Sequence, residues 1–262
     1  MKWKKYYQIA RIGFREATAY RLNAVMSLAT SVFYLILAYY IWSAIASAGT
    51  LSSSLTAVLS YIVIGQITSN SIFVNAEDPI GERVRKGTIV NELKRPISLR
   101  TQIYFYLFGQ SLFNFLAKGV PVAIIGAFFL NLGIPTGINL PAFMLSLFLG
   151  LNLVFSFSFL TAMLIFWTKV AWSIRMMRNL IQRLFSGVLF PLYLLPDQLK
   201  PIFNITPFPS MVDAPISIFR METTGAQLLP LFAEQIVWTL IILLFGELIW
   251  RKAQNKLTVQ GG

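Results

Sequence analysis

Histidine and cysteine are both absent from this chain. The first absence removes the commonest general base and the commonest zinc or iron ligand together. The second removes disulfides and thiolate chemistry, although it identifies no compartment. Charge is scarce as well: Asp, Glu, Lys and Arg make up 12% of the residues, against about 25% in an ordinary soluble domain. There is no G-x-x-x-x-G-K-[ST] stretch to cradle nucleotide phosphates, no H-E-x-x-H, and no G-x-S-x-G turn. These absences point away from catalysis by this chain and from any cofactor held within it. Catalytic, cofactor and metal residues are therefore expected to be none.

What is abundant is apolar surface. Of 262 residues, 56% are hydrophobic, and mean hydropathy is +0.66. This composition marks an integral membrane protein. A span needs about 20 mostly apolar residues, and the chain offers six such stretches: 22–46, 55–74, 103–130, 141–167, 180–195 and 228–250. The fifth is the weakest, because Arg183 lies inside it and Pro191 and Pro196 interrupt its far end. With the N-terminus in the cytoplasm, 19 of the 22 Lys and Arg fall on that side. Lys200 and Arg220 fall opposite, and Lys118 lies within a span. The net charge of +12 thus reads as a cytoplasmic excess of basic residues, not a nucleic-acid surface. An even number of spans with both termini inside follows. No cleavable signal peptide is expected, since Met1-Lys-Trp-Lys-Lys leads into an amphipathic segment.

That segment repeats Trp3, Tyr7, Ala10, Phe14 and Ala17 on one face and Lys4, Gln8, Arg11 and Arg15 on another. It is expected to lie in the membrane interface, as an anchor alone or as an anchor that also touches a cytoplasmic partner. Between spans two and three sits an island, residues 76–96, with nine ionisable groups. Asp78 is a suitable N-cap, Pro79 suits a first helical turn, and Gly87 suits the position past a helix end. This frames a two-turn helix over 79–86, with Ile80 and Val84 on one face. Thr88 can cap a second turn through Ile89, Val90 and Leu93, which stops at Arg95-Pro96. A solvated loop obeying the basic-side bias explains the Arg and Lys but not the caps or the apolar faces, so a docking element is favoured.

Half of the twelve prolines fall at Pro191, Pro196, Pro201, Pro207, Pro209 and Pro215. They break an apolar run and suggest helices that dip back toward the membrane from outside, an outer lid over a passage; a hydrophobically packed external loop is the alternative. Lys118 and Glu234 are placed at matching depths in the outer part of the membrane. They are expected either to pair or to leave Lys118 snorkelling. Asn114, Asn152, Ser156 and Ser158 supply polar groups that suit a pathway for amphipathic cargo or ordinary helix packing.

Three segments carry a resemblance. Tyr20-Arg-Leu-Asn23 opens the first span after a basic amphipathic lead. Lys86-Gly-Thr-Ile-Val-Asn-Glu-Leu-Lys-Arg-Pro96 follows the second span. Ser186-Gly-Val-Leu-Phe-Pro-Leu-Tyr-Leu-Leu-Pro196, with Pro207-Phe-Pro and Pro215 beyond it, precedes the sixth. In this order they resemble six-span permease subunits of ABC exporters of the ABC-2 type. The nearest likeness is to the bacterial branch encoded with a related second permease and a separate ATPase. The resemblance implies an all-α membrane protein with six transmembrane helices, an N-terminal interfacial helix, a cytoplasmic coupling helix and a re-entrant outer segment. It implies one permease domain over 1–262: an interfacial helix at 1–21, spans one and two at 22–75, the coupling loop at 76–102 and spans three and four at 103–167. A cytoplasmic loop with span five at 168–195, an outer loop at 196–227 and span six with the tail at 228–262 complete it. ATPase coupling would fall to Pro79, Ile80, Glu82, Arg83, Val84, Arg85, Thr88, Glu92, Leu93 and Arg95. The outer gate would use Pro191, Pro196, Pro207, Pro209 and Pro215. Implied partners are two ATPase subunits, which would hold ATP and Mg, and a second permease, in a bacterial cytoplasmic membrane. A secondary transporter or channel-like protein without an ATPase is the competing reading; no internal repeat favours it.

Overall fold

Only helices and closed barrels can satisfy every backbone polar group inside lipid, and this chain takes the helical solution. The computed structural model describes residues 3–49, 51, 53–89, 96–133 and 135–257, the side chains of 255–257 aside. Among these residues every regular element is helical. In chain order they are α1 (Trp3–Ala19), α2 (Arg21–Ser47), α3 (Leu55–Ile72), α4 (Glu77–Arg85), α5 (Leu99–Asn114) and α6 (Val120–Leu130). Then come α7 (Asn139–Ala162), α8 (Ile165–Thr168), α9 (Ala171–Phe185), α10 (Lys200–Asn204), α11 (Phe208–Phe219) and α12 (Leu228–Leu257).

Five stretches are long and apolar enough to cross a membrane: Arg21–Ser47, Leu55–Arg85, Leu99–Leu130, Asn139–Thr168 and Gly225–Gln254. The expected span at 180–195 is not among them. Helix α9 stops at Phe185, Gly187 takes φ +88°, and Pro191 opens a short 3-10 turn at Leu192–Leu194. Proline lacks the N–H that would continue a helix, and Gly187 supplies the left-handed step. The chain then returns: Phe203 and Phe208 stack against Phe185, at 5.0 and 5.8 Å between ring centroids. Helix α11 follows, with Pro215 inside it.

Helix α3 occupies the centre of the bundle. Residues 61–69 on it are buried on every side, among them Gly65, Gln66, Thr68 and Ser69. Small side chains let α2, α6, α7 and α11 approach it closely. Helix α7 carries no charge, and its polar side chains tie it to three neighbours. Asn139 donates to the carbonyls of Ile218 and Thr223 at 3.0 and 3.1 Å. Ser146 and Gln235 bond at 3.0–3.2 Å. Ser158 and Thr161, one helical turn apart, reach the start of α4.

Between α5 and α6 the helix widens to a π turn, Phe115–Gly119. Its cause is Pro121, which offers no N–H and crowds the carbonyl four residues before it. The Val120 N–H accordingly bonds back to the Phe115 carbonyl.

Helix α1 packs along the middle and later turns of α5. Gly13 abuts the Tyr106 carbonyl and Gly109 abuts the Ala10 carbonyl, where an added Cβ would overlap the partner backbone. Tyr6 stacks on Phe105 at 4.8 Å between centroids, and Phe14 meets Phe113 edge-on at 5.7 Å. Ala10, Phe14 and Ala17 turn inward, while Trp3, Tyr7, Lys4, Arg11 and Arg15 stay exposed. The apolar face is thus shared between a protein contact and the surroundings. Arg100 lies 3.5 Å from Glu247, so the start of α5, the packed α1 and the late turns of α12 share one end of the bundle. That end is called the basic side below.

Candidate functional site

The island folds as α4, and it begins two residues earlier than the caps predict. Asp78 is not the N-cap. That position is Ala76, which has no capping side chain of its own. Instead the Ser158 hydroxyl of α7 accepts the Ala76 N–H at 2.6 Å. Pro79 fits because the first-turn N–H groups have no intrahelical partner to lose. At the other end Gly87 has φ +68°, with Gly87 N–H on the Val84 carbonyl (3.2 Å) and Thr88 N–H on the Arg83 carbonyl (3.0 Å). This paired arrangement is the Schellman closure that glycine permits.

Beneath α4 lies a charge network closed to solvent. Glu77 is fully buried and Arg178 of α9 is 2% exposed. The Arg178 guanidinium donates from Nε to Glu77 Oε1 at 2.6 Å and from Nη2 to Glu77 Oε2 at 3.2 Å. Its remaining donors go to Gln182 Oε1 (2.6 Å), Asn75 Oδ1 (2.7 Å) and the Val74 carbonyl (3.2 Å). The Ser158 and Thr161 hydroxyls donate to Glu77, both at 2.7 Å. The carboxylate therefore fills its acceptor sites with four donors from two helices. Burying two charges is costly, and only this degree of pairing offsets it. At the rim Arg175 pairs with Asp78 at 2.7 Å. Arg175, Arg178 and Gln182 share one face of α9, with the i, i+3 and i+7 spacing that points them together at α4.

The packing is equally tight. A Cβ on Gly81 would overlap that of Ala171. Ile80 is fully buried and Val84 packs partly against the same core. Ile80 therefore belongs to the chain's own interior and not to an outward contact face. Pro79, Arg83 and Val84 are half-buried, and Arg83 donates to the Pro79 carbonyl at 2.7 Å. The outward face is Asp78, Glu82, Arg85, Lys86 and Thr88, with Lys86 and Glu82 paired at 2.6 Å. Glu92, Leu93 and Arg95 lie outside the described residues, as does Val90 of the expected second turn.

On the opposite side the prolines shape the broken segment. Pro191 precedes the 3-10 turn, Pro207 precedes α11, and Pro209 occupies its first turn. Pro215 cannot bond to the Met211 carbonyl, which faces Gly150 of α7; a Cβ there would come within 2.9 Å of it. Gln235 of α12 donates to the Ser210 carbonyl at 2.8 Å. Tyr61 of α3 donates to Asp213 at 2.6 Å, and Arg220 lies over the rings of Tyr61 and Tyr193. Pro196 precedes the exposed turn where Lys200, 2.8 Å away, holds the Asp197 carboxyl below its usual range.

Lys118 and Glu234 do not pair. Glu234 accepts from Ser210 at 2.7 Å and lines a cavity with Asp213. Lys118 enters a different cavity, with Ser27, Ser31, Asn114 and Arg183. Matching depth alone does not make a pair: α5 buries Leu99, Ile103 and Leu107 in the core from its first turn and carries Lys118 on the π turn beyond it, facing a different cavity from Glu234. Asn152 donates to its own helix, to the Phe148 carbonyl at 2.7 Å, and Ser156 to the Asn152 carbonyl at 2.7 Å.

A continuous helical membrane unit with a capped surface helix and no metal-ligating cluster among the described residues is thus in place. The family described as ABC-2 family transporter protein matches residues 25–261. The chain belongs to the ABC-2 transporter family. It is a membrane permease of that family, whose members are non-catalytic transport subunits. No curated protein matches the chain. The permease's buried network has no local signature in sequence. Glu77 reads there as island charge, Arg178 as basic-side bias and Ser158 as pathway lining, and Gln182 carries no reading at all. The available signal was two hydroxyls, Ser158 and Thr161, three apart at the basic-side end of an uncharged helix.

Proposed function

We propose that this permease is half of the translocation pathway of an ATP-driven exporter, with α4 as the element that seats on a separate ATPase. One observation carries the reading: a short helix with a solvent-exposed charged face is clamped from beneath by a fully buried ion pair to α9. A passive surface loop has no need of such a clamp. A lever does, because a push on α4 must move α9 and α7 with it. Helix α9 leads directly into the broken segment that ends at α11, so displacement at the basic side reaches the opposite side through covalent chain. On this reading α9, the returning segment and α11 complete a sixth crossing, and 191–215 forms a re-entrant outer gate. Helix α1 acts as the interfacial helix flanking the ATPase contact.

Both termini then lie in the cytoplasm of a bacterium, and residues 1–262 form one permease domain. Exposed apolar faces of α2 (Phe33, Ile36, Tyr40) and α9 (Met177, Leu180, Leu184) suit lipid and a second permease, a related chain or a copy. Two ATPase subunits would bind ATP and Mg. Purification of the tagged chain from native membranes in mild detergent tests the proposal. An ATP-binding polypeptide is expected to co-elute, and its persistent absence under conditions that retain other membrane complexes would contradict the proposal.

A further inference from the structure

Two cavities follow one another along the same helices, and their chemistry differs sharply. The first, about 400 Å³, is lined by polar side chains of α2 and α3, by Lys118 on the π turn, and by Arg183 on α9. No carboxylate lines it, and among the described residues neither cation is in an ion pair. Arg183 lies over the Phe73 ring at 5.5 Å. The second cavity, about 630 Å³, is lined by Val32, Leu35, Ile62, Val63, Ile125 and Phe129 and their apolar neighbours. On α2, on α3 and on α5–α6 the apolar lining is displaced from the polar lining in the same direction, away from the basic side, by on the order of 10 Å.

A charged group inside a membrane protein without a partner is costly, and such groups mark ligand and ion paths. Here two cations converge on one cavity from different helices. One of them is set by a π turn, an element frequently found at functional sites. Lys and Arg with hydroxyl and amide donors are the set that binds a tetrahedral oxyanion or a carboxylate. The adjoining slot has the size and lining of a small-molecule site. A third, smaller cavity shares Asn114 and Lys118 and opens beside Glu16, Tyr20 and Asn23, next to α1. Glu16 is the only carboxylate near this entrance among the described residues lining it. The entrance therefore leads from α1, the proposed interfacial helix, to Lys118.

We propose that the paired cavities bind an anionic amphiphile, with its headgroup between Lys118 and Arg183 and its chain in the slot between α2, α3 and α6. This names a cargo class and rests on the permease reading above.

The test uses the purified full chain in maltoside micelles, titrated calorimetrically with dodecyl phosphate, dodecyltrimethylammonium and inorganic phosphate. Saturable binding of dodecyl phosphate is expected, with none for the cationic amphiphile and none for inorganic phosphate at the same concentration. Lys118→Gln and Arg183→Gln should each weaken binding by about tenfold, while Lys118→Arg and the exposed variant Lys252→Gln retain it. A second measurement needs no variant: dodecyl phosphate should protect Lys118, but not Lys86, from an amine-acylating reagent read by mass spectrometry. Equal binding of both amphiphiles, or unprotected Lys118, overturns the proposal. Equal binding of inorganic phosphate overturns the amphiphile in favour of a free oxyanion. Neither measurement involves an ATPase, so failure here leaves co-elution untouched, and failure of co-elution leaves this binding to stand or fall alone.

Discussion

Glu77 and Arg178 lie 101 positions apart in the chain and meet at 2.6 Å with no access to solvent. One belongs to the short surface helix α4 and the other to α9, the helix that leads into the broken segment. The pair makes α4 part of the bundle and not an appendage to it.

Arg178→Ala leaves the Glu77 carboxylate buried without its counter-ion. The expected loss is about 3–5 kcal/mol in detergent-solubilised thermal unfolding. A double variant, Glu77→Gln with Arg178→Met, should recover part of that loss, because it removes both charges together. Measuring the two side by side separates an ion-pair effect from simple loss of packing.

Gly81→Leu forces a side chain into Ala171, where even a Cβ overlaps. Overpacking of this kind costs about 1–3 kcal/mol. In the account given above it also lifts α4 from α9, so ATPase co-elution should fall in parallel with stability. Gly87→Leu strains a φ of +68° without any steric neighbour, and should loosen only the helix end.

Tyr61→Phe removes the hydroxyl that the half-buried Asp213 carboxyl accepts at 2.6 Å, at a cost of about 1–3 kcal/mol. The loss should appear as faster labelling of a cysteine placed at Tyr193, since the native chain offers no competing thiol. Unchanged labelling would detach Tyr61 from control of the outer segment.

The length of the apolar runs is enough to read the five membrane-length helices, because length and hydropathy decide a lipid-spanning helix almost alone. Gly87 was legible for the same local reason: a left-handed helix end favours glycine. Asp78 misled, because a capping residue and an ion-pair partner look alike until Arg175 and Ser158 are in place. The span expected at 180–195 does not form as a continuous helix, because Gly187 and Pro191 outweigh a run of Leu, Phe and Val. Lys118 and Glu234 match in sequence depth but enter different cavities, which depth cannot show. The Gly13 and Gly109 contacts, which bind α1 along α5, depend on two segments far apart in sequence. Neither they nor the Glu77–Arg178 pair leaves a local pattern.

If α4 is the seat of a separate ATPase, a single thiol on its exposed face reaches that partner, and the chain has no native cysteine to compete with it. Lys86→Cys places a single thiol on the exposed end of α4, and Lys200→Cys places one on the opposite side. Each is treated in native membranes with a short thiol-directed photo-crosslinker. A cross-linked ATP-binding polypeptide is expected from Lys86→Cys and none from Lys200→Cys. No such adduct from Lys86→Cys, or equal adducts from both positions, would contradict that role for α4.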